Sequence, residues 1–143
     1  MSIIVRSQKF AAIAFAAFLI LLGCAQQNSQ KENLDFSGKW FGTAQQTGSA
    51  NPTFSLDIKN SNDMVTGVLN SMDKTFENVT IKDAKIENGK LFFRAVANGG
   101  TQYKDHLFVF SAQREGEKLL KGTWTDILEG AQGSFTFSLV TEE

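Results

Sequence analysis

Short segments in which apolar and polar side chains alternate run through residues 36–141, and this alternation constrains the fold more than any other feature. The clearest cases are TFSLDIK at 53–59 and GSFTFSLVT at 133–141. Residues two apart in a strand share a face, so the alternation predicts strands with one buried face. The predicted strands span residues 36–45, 53–59, 64–71, 78–87, 90–97, 102–113, 118–126 and 133–141.

Turn residues separate the predicted strands and set their direction. Asn88-Gly89 indicates a tight hairpin, because both positions of such a turn favour positive φ. Further reversals are marked by polar and glycine residues at 60–63, 98–100 and 114–117. Connections this short join antiparallel neighbours, since a parallel pair needs a crossover of about a dozen residues. We therefore predict an all-β fold, an eight-stranded antiparallel up-and-down β-barrel, with an open sandwich of two four-stranded sheets as the alternative.

The polar faces of these strands predict a barrel surrounded by water, because a transmembrane barrel carries an apolar band on every strand. The outward residues are Ser55, Asp57, Lys59, Lys121, Ser134 and Thr136. The inward candidates are Trp40, Phe54, Leu56, Phe93, Trp124, Phe135 and Phe137. A barrel of about eight strands is either filled by side chains or holds one small ligand. So many large residues favour filling at one end, and we expect the other mouth to open near Gly42, Ala44, Tyr103 and Ser111.

An apolar-x-Gly-x-apolar pattern occurs three times, at residues 36–40, 65–69 and 120–124. In a strand each glycine shares a face with its large neighbours, and a mid-strand glycine usually marks a bend or a close approach. We expect Gly38, Gly67 and Gly122 to make room inside the barrel while Trp40 and Trp124 fill it. The alternative is that one or both tryptophans line a ligand pocket.

Gly38-Lys39-Trp40 on the first predicted strand resembles the Gly-x-Trp signature of lipocalins and of the wider calycin barrels, which include avidins. The resemblance implies a lipocalin-like barrel that binds something apolar at its mouth. Residues 133–143 contain no Lys or Arg, whereas lipocalins place a basic residue on the last strand against the Trp. Residues 41–43 offer no match for the asparagine that helps avidins hold biotin, so biotin binding is not implied.

The first 23 residues predict a secretory signal peptide. Arg6 and Lys9 give a positive start without an acidic residue, and an apolar run follows at 10–22. This run is shorter than the roughly 20 residues that a membrane-spanning helix needs, and it matches the apolar core of a signal peptide. An uncleaved N-terminal anchor helix is the alternative.

The run ends in Leu21-Leu22-Gly23-Cys24, which resembles the lipobox of bacterial lipoproteins. The resemblance implies cleavage before Cys24, acyl chains on that cysteine and a membrane anchor through them. Ala25 follows instead of the aspartate that retains such proteins in the inner membrane, which implies the outer membrane, facing either the periplasm or the surface. The domains are then a signal peptide at 1–23, an acylated cysteine with a flexible tether at 24–35, and a barrel at 36–143.

One cysteine and one histidine leave little room for catalytic or metal chemistry. His106 follows Asp105, but adjacent residues of a strand face opposite sides, so these two cannot form a catalytic pair. The formal net charge of −1 gives no support for nucleic-acid binding, which needs a clustered basic face. We expect no enzymatic activity, no cofactor, no metal and no nucleic acid.

Two functions remain, of different classes. The first is binding of a small apolar or amphipathic ligand, such as a fatty acid, inside the barrel, and its candidate contacts are Trp40, Phe54, Phe93, Tyr103 and Trp124. The second is a solid barrel that binds an envelope protein through the loops at 46–52 and 127–132. There, Ile127 and Leu128 would form an apolar contact or plug the barrel, and Asp126 and Glu129 would meet a basic partner.

Overall fold

The computed structural model describes residues 34–46, 48, 50–62, 64–100 and 102–142, and these residues form nine strands without a helix. Within that part of the chain, then, nothing helical is long and apolar enough to cross a membrane. The strands are β1 (Gly38–Gln45), β2 (Thr53–Ser61), β3 (Met64–Ser71), β4 (Val79–Thr80), β5 (Lys82–Glu87), β6 (Lys90–Val96), β7 (Leu107–Glu115), β8 (Leu119–Asp126) and β9 (Gln132–Leu139).

All nine strands belong to one antiparallel sheet in the order β4-β3-β2-β1-β9-β8-β7-β6-β5. The first and last long strands pair with each other, for example with Trp40 opposite Leu139. The two ends of this order, β4 and β5, are consecutive in the chain, and β3 lies beside β5. The sheet therefore curls into a nearly closed up-and-down barrel, which confirms the predicted fold class.

The strand count was predicted wrongly because the segment 78–87 is two strands. β4 pairs with β3 and β5 pairs with β6, so the chain changes partners at Ile81. The backbone N–H of Ile81 still donates to Gly67 O of β3 at 3.0 Å. Two residues later, Asp83 adopts a φ of 51°. A left-handed residue breaks strand geometry, and aspartate tolerates that conformation better than most residues. This short segment spans the seam where the barrel closes.

The predicted strand at 102–113 begins later, at Leu107. Asp105 has a φ of 69°, and the His106 N–H donates to Tyr103 O at 3.0 Å, so a turn precedes β7. The turn places Tyr103 and His106 at the end of the barrel instead of along its wall.

Inward side chains form one contiguous apolar cluster, and all seven predicted inward residues are buried in it. Glycines leave space between these large rings. A Cβ on Gly122 would lie 2.6 Å from the Phe135 ring, and one on Gly133 would lie 2.7 Å from the Trp124 ring. The described members of this cluster lie within residues 34–139, and Glu32–Glu143 forms one compact unit, so the barrel carries its own core, as an independently folding domain does.

One end of the barrel, which we call the closed end, is sealed around Trp40. The Trp40 Nε1 donates to Phe36 O at 2.9 Å, and the Arg114 guanidinium lies 5.7 Å from the centre of its ring. Arg114 also donates to the carbonyls of Asp35 and Glu117. The Ser37 side chain and backbone N–H hold the pKa of Asp35 below its ordinary value, and the charge of Arg114 adds to this effect. The last strand supplies no basic residue, and β7 supplies this cation instead.

Candidate ligand cavity

The opposite end, which we call the open end, contains a cavity of about 230 Å³. Four connections surround it, at residues 46–52, 72–78, 97–106 and 127–131. The open end lies away from the hairpin turns at 88–89 and 116–118, and away from residue 34, which precedes β1 at the closed end.

Eight aromatic side chains line the cavity. They are Phe54, Phe76, Tyr103, Phe108, Phe110, Trp124, Phe135 and Phe137. Most of these ring pairs pack edge to face or tilted, as between Phe76 and Phe108 at 5.3 Å and between Phe135 and Phe137 at 4.7 Å, and Phe54 stacks on Phe137 at 6.2 Å. Such contacts add about 0.5–1.5 kcal/mol per pair to the burial of the rings, so they hold the wall in place around the cavity.

Phe76 is the one aromatic wall residue that comes from the β3–β4 loop, at 72–78, and it is only 2% exposed. The Ser71 hydroxyl accepts the Phe76 N–H at 3.0 Å and donates to Asp73 at 2.5 Å. Asn98 binds the other side of the loop through two hydrogen bonds: its side chain accepts the Glu77 N–H at 2.9 Å and donates to Glu77 O at 2.7 Å. These bonds fix a loop phenylalanine inside the barrel.

A buried pair, His106 and Asp126, lies at the rim of the cavity. The His106 Nδ1 is 2.7 Å from Asp126 Oδ2, and Asp126 Oδ1 accepts the N–H groups of Leu128 at 2.9 Å and Glu129 at 3.5 Å. Burial raises the pKa of Asp126, but these hydrogen bonds outweigh it and leave the pKa below its ordinary value. The pair joins the β6–β7 connection to the turn after β8, so it braces two of the four connections that surround the cavity.

This pair corrects one sequence expectation and adds a contact that sequence analysis missed. Asp126 is 0% exposed, so it cannot meet a basic protein partner as predicted for it. As expected, His106 forms no pair with its neighbour Asp105. It does form a hydrogen bond with Asp126, which lies 20 residues away in the sequence. Phe76 was also missed, and the only signal was a single aromatic residue within the loop at 72–78.

The predicted ligand contacts fall into two groups. Phe54, Tyr103 and Trp124 line the cavity. Trp40 lies at the closed end, and Phe93 stacks on Phe110 at 4.7 Å, outside the lining.

The expected mouth residues also divide. Ala44 and Tyr103 line the cavity, whereas Gly42 and Ser111 do not. Cys24 and the signal peptide lie outside the described residues.

The wall contains one buried polar atom without a partner. Trp124 is 8% exposed, and its Nε1 finds no hydrogen-bond acceptor among the described residues. A buried indole N–H usually has an acceptor. The described residues also contain no group of three His, Cys, Asp or Glu side chains that would hold a metal ion.

Comparisons with known proteins add no assignment: no family model, no curated protein and no solved structure matches this chain.

Proposed function

We propose that the chain is a lipid-anchored envelope lipoprotein with a lipocalin-like barrel, and that it binds a small apolar or amphipathic ligand at the open end without catalysing a reaction. The observation that carries this proposal is the aromatic-walled cavity of about 230 Å³. Burial of a ligand's apolar surface there contributes about 25 cal/mol per Å².

The cavity volume limits the ligand to a small molecule or one end of a longer one. An apolar cavity of about 150 Å³ is enough to hold benzene, and drug-sized ligands occupy about 300–1,000 Å³. At about 230 Å³ the cavity lies between these values. We therefore expect a single ring or a short chain of about ten non-hydrogen atoms.

The lipocalin-like assignment draws support from the closed end. Gly38 and Trp40 lie on β1, and the Arg114 guanidinium covers the Trp ring. This is the cation–tryptophan packing that the resemblance implies, although the cation comes from β7 and not from the last strand.

The proposed anchor precedes the closed end of the barrel in the chain. Residue 34 is at the closed end, ten residues after Cys24, so acyl chains on Cys24 would tether that end. Two or more acyl chains give stable attachment to a bilayer. Mass measurement of the full chain and of Cys24→Ala from membrane fractions tests the anchor, since only the wild type should carry acyl mass and sediment with the outer membrane.

Native mass spectrometry of residues 25–143, purified from the periplasm, tests ligand binding directly. We expect a stoichiometric adduct of small mass, or one that forms when envelope lipid extract is added. Ala44→Leu places extra carbon atoms in the cavity and should abolish the adduct. Thr43→Leu is the matched control, because its side chain is the exposed neighbour on the opposite face. A bare mass under all conditions would contradict the proposal.

A second candidate, binding of an envelope protein through the loops, draws on two exposed apolar residues. Ile127 is 57% exposed and Leu128 is 71% exposed, both in the turn after β8. A photo-crosslinking residue at position 128 should capture one specific envelope protein in cells. The same residue in place of Met64, which is 67% exposed at the closed end, is the control. Equal crosslinking at both positions would contradict this candidate.

A further inference from the structure

The charges around the open-end cavity are predominantly negative. Its lining contains two charged residues, Asp73 and Asp126, and no Lys, Arg or His among the described lining residues. The surrounding connections add three carboxylates and two ammonium groups, from Glu77, Asp105, Glu129, Lys74 and Lys104. A mouth with an excess of one charge concentrates ligands of the opposite charge.

Hydrogen bonds hold both lining carboxylates in place. Asp73 Oδ1 accepts the Ser71 hydroxyl at 2.5 Å and the Thr75 N–H at 3.0 Å. Its Oδ2 has no hydrogen-bond partner among the described residues, and the side chain is exposed at the rim. The Asp126 carboxylate is deeper, where it lies 2.7 Å from His106 Nδ1 and accepts the N–H groups of Leu128 and Glu129.

An aromatic wall offers a cation a further kind of contact. The face of an aromatic ring is the negative side of its quadrupole, so it attracts a cation and repels an anion. Eight aromatic rings line the cavity of about 230 Å³, so a ligand inside it contacts several of them. The acidic rim disfavours a carboxylate such as that of a fatty acid, and any ring face turned toward the cavity adds to this preference.

We propose that the open-end cavity selects a small organic cation, an ammonium group on a short apolar body, over a neutral or anionic molecule of the same size. This inference rests on the proposed function, because it names the class of ligand for the same cavity. The ammonium group lies among the rings near the rim carboxylates, and the apolar body fills the space beyond.

Three probes of ten non-hydrogen atoms test the charge preference: phenyltrimethylammonium, its neutral isostere tert-butylbenzene, and the anion benzenesulfonate. Each is titrated calorimetrically into residues 25–143. We expect the cation to bind at least about fivefold more tightly than the neutral probe, the range of a cation–ring contact. The anion should bind more weakly than both. Equal affinity for the cation and the neutral probe, or tighter binding of the anion, would overturn the inference and leave the proposed function intact. No binding of any probe would count against both.

Asp73→Asn isolates the rim charge, because the amide oxygen can still accept the two hydrogen bonds of Asp73. Exposed charge pairs contribute about 0.2–1 kcal/mol, so we expect the variant to bind the cation up to about fivefold more weakly and tert-butylbenzene unchanged. Glu87→Gln removes the same charge beside the hairpin at the closed end and should leave both affinities unchanged. Equal weakening by both variants would show a general charge effect and overturn the role of Asp73.

Discussion

Removing Asp126 should destabilise the barrel strongly because it leaves His106 buried without its partner. The two side chains meet at 2.7 Å, and both are buried. Loss of one member of a buried pair costs about 3–5 kcal/mol. A domain of about 110 residues unfolds with an entropy near 0.23 kcal/mol/K, so a loss of 3 kcal/mol lowers Tm by about 13 °C. We expect Asp126→Ala to show a fall of this size in thermal melts followed by circular dichroism.

A double-mutant cycle separates this pair from ordinary loss of packing. The double variant of Asp126→Ala with His106→Ala leaves neither partner unsatisfied, so its loss should be smaller than the sum of the single losses by about 1–3 kcal/mol. Urea unfolding at pH 7 supplies the three free energies. Additive losses would refute the interpretation that these residues stabilise the rim through each other.

The His106–Asp126 pair also predicts how the free energy of unfolding depends on pH. The pKa of Asp126 is lower in the folded protein than the ordinary value of 3.8. Its carboxylate therefore contributes stability that is fully present above about pH 4 and is lost as the pH falls through the folded pKa. Asp126→Asn lacks this titration, so its stability relative to wild type should rise as the pH falls below about 4. A constant difference between wild type and Asp126→Asn across that range would contradict the bonding described for the carboxylate.

Three further substitutions test other parts of the barrel by urea unfolding and hydrogen exchange. Arg114→Met removes the cation over the Trp40 ring at the closed end and should lower the free energy of unfolding by about 1–3 kcal/mol. The control, Lys121→Met in an exposed ion pair, should lower it by less than about 0.5 kcal/mol. Equal losses would contradict a specific role for the cation. Gly122→Ala forces a Cβ against the Phe135 ring and should cost about 1–3 kcal/mol, and an unchanged midpoint would show that the space is not limiting. Asn98→Ala should speed amide hydrogen exchange in the β3–β4 loop while the strands keep their protection. Unchanged exchange in the loop would mean that the two hydrogen bonds between Asn98 and Glu77 do not hold it.

The regular part of the fold follows from local chemistry, which is why the sequence predicts it. Alternation in β2 and β9 puts Phe54 and Phe135 inside, and the Asn88-Gly89 turn joins β5 to β6 as expected. Each of these features depends on side chains within a few residues of one another. The seam at Ile81 does not, because the chain changes partners there to close a barrel whose circumference is set by all the other strands.

The candidate site is predicted less completely for the same reason. Phe54 and Trp124 are cavity residues that strand alternation places inside the barrel. Phe76 and the His106–Asp126 pair depend on how loops fold back over the open end, and no local period encodes that contact. Trp40 and Phe93 face inward as predicted, but neither lines the cavity. Strand alternation tells which side chains face inward, and it does not tell at which position along the barrel axis the interior leaves a cavity.

The most direct test of the central proposal, a ligand site at the open end, is a two-dimensional amide NMR titration that follows the two indole N–H signals. Trp124 Nε1 lies on a residue of the cavity wall, and Trp40 Nε1 donates to Phe36 O at the closed end. With phenyltrimethylammonium, the account predicts a saturable shift of the Trp124 signal and a constant Trp40 signal. A Trp124 signal that stays fixed, or two signals that move equally, would contradict a ligand site at the open end.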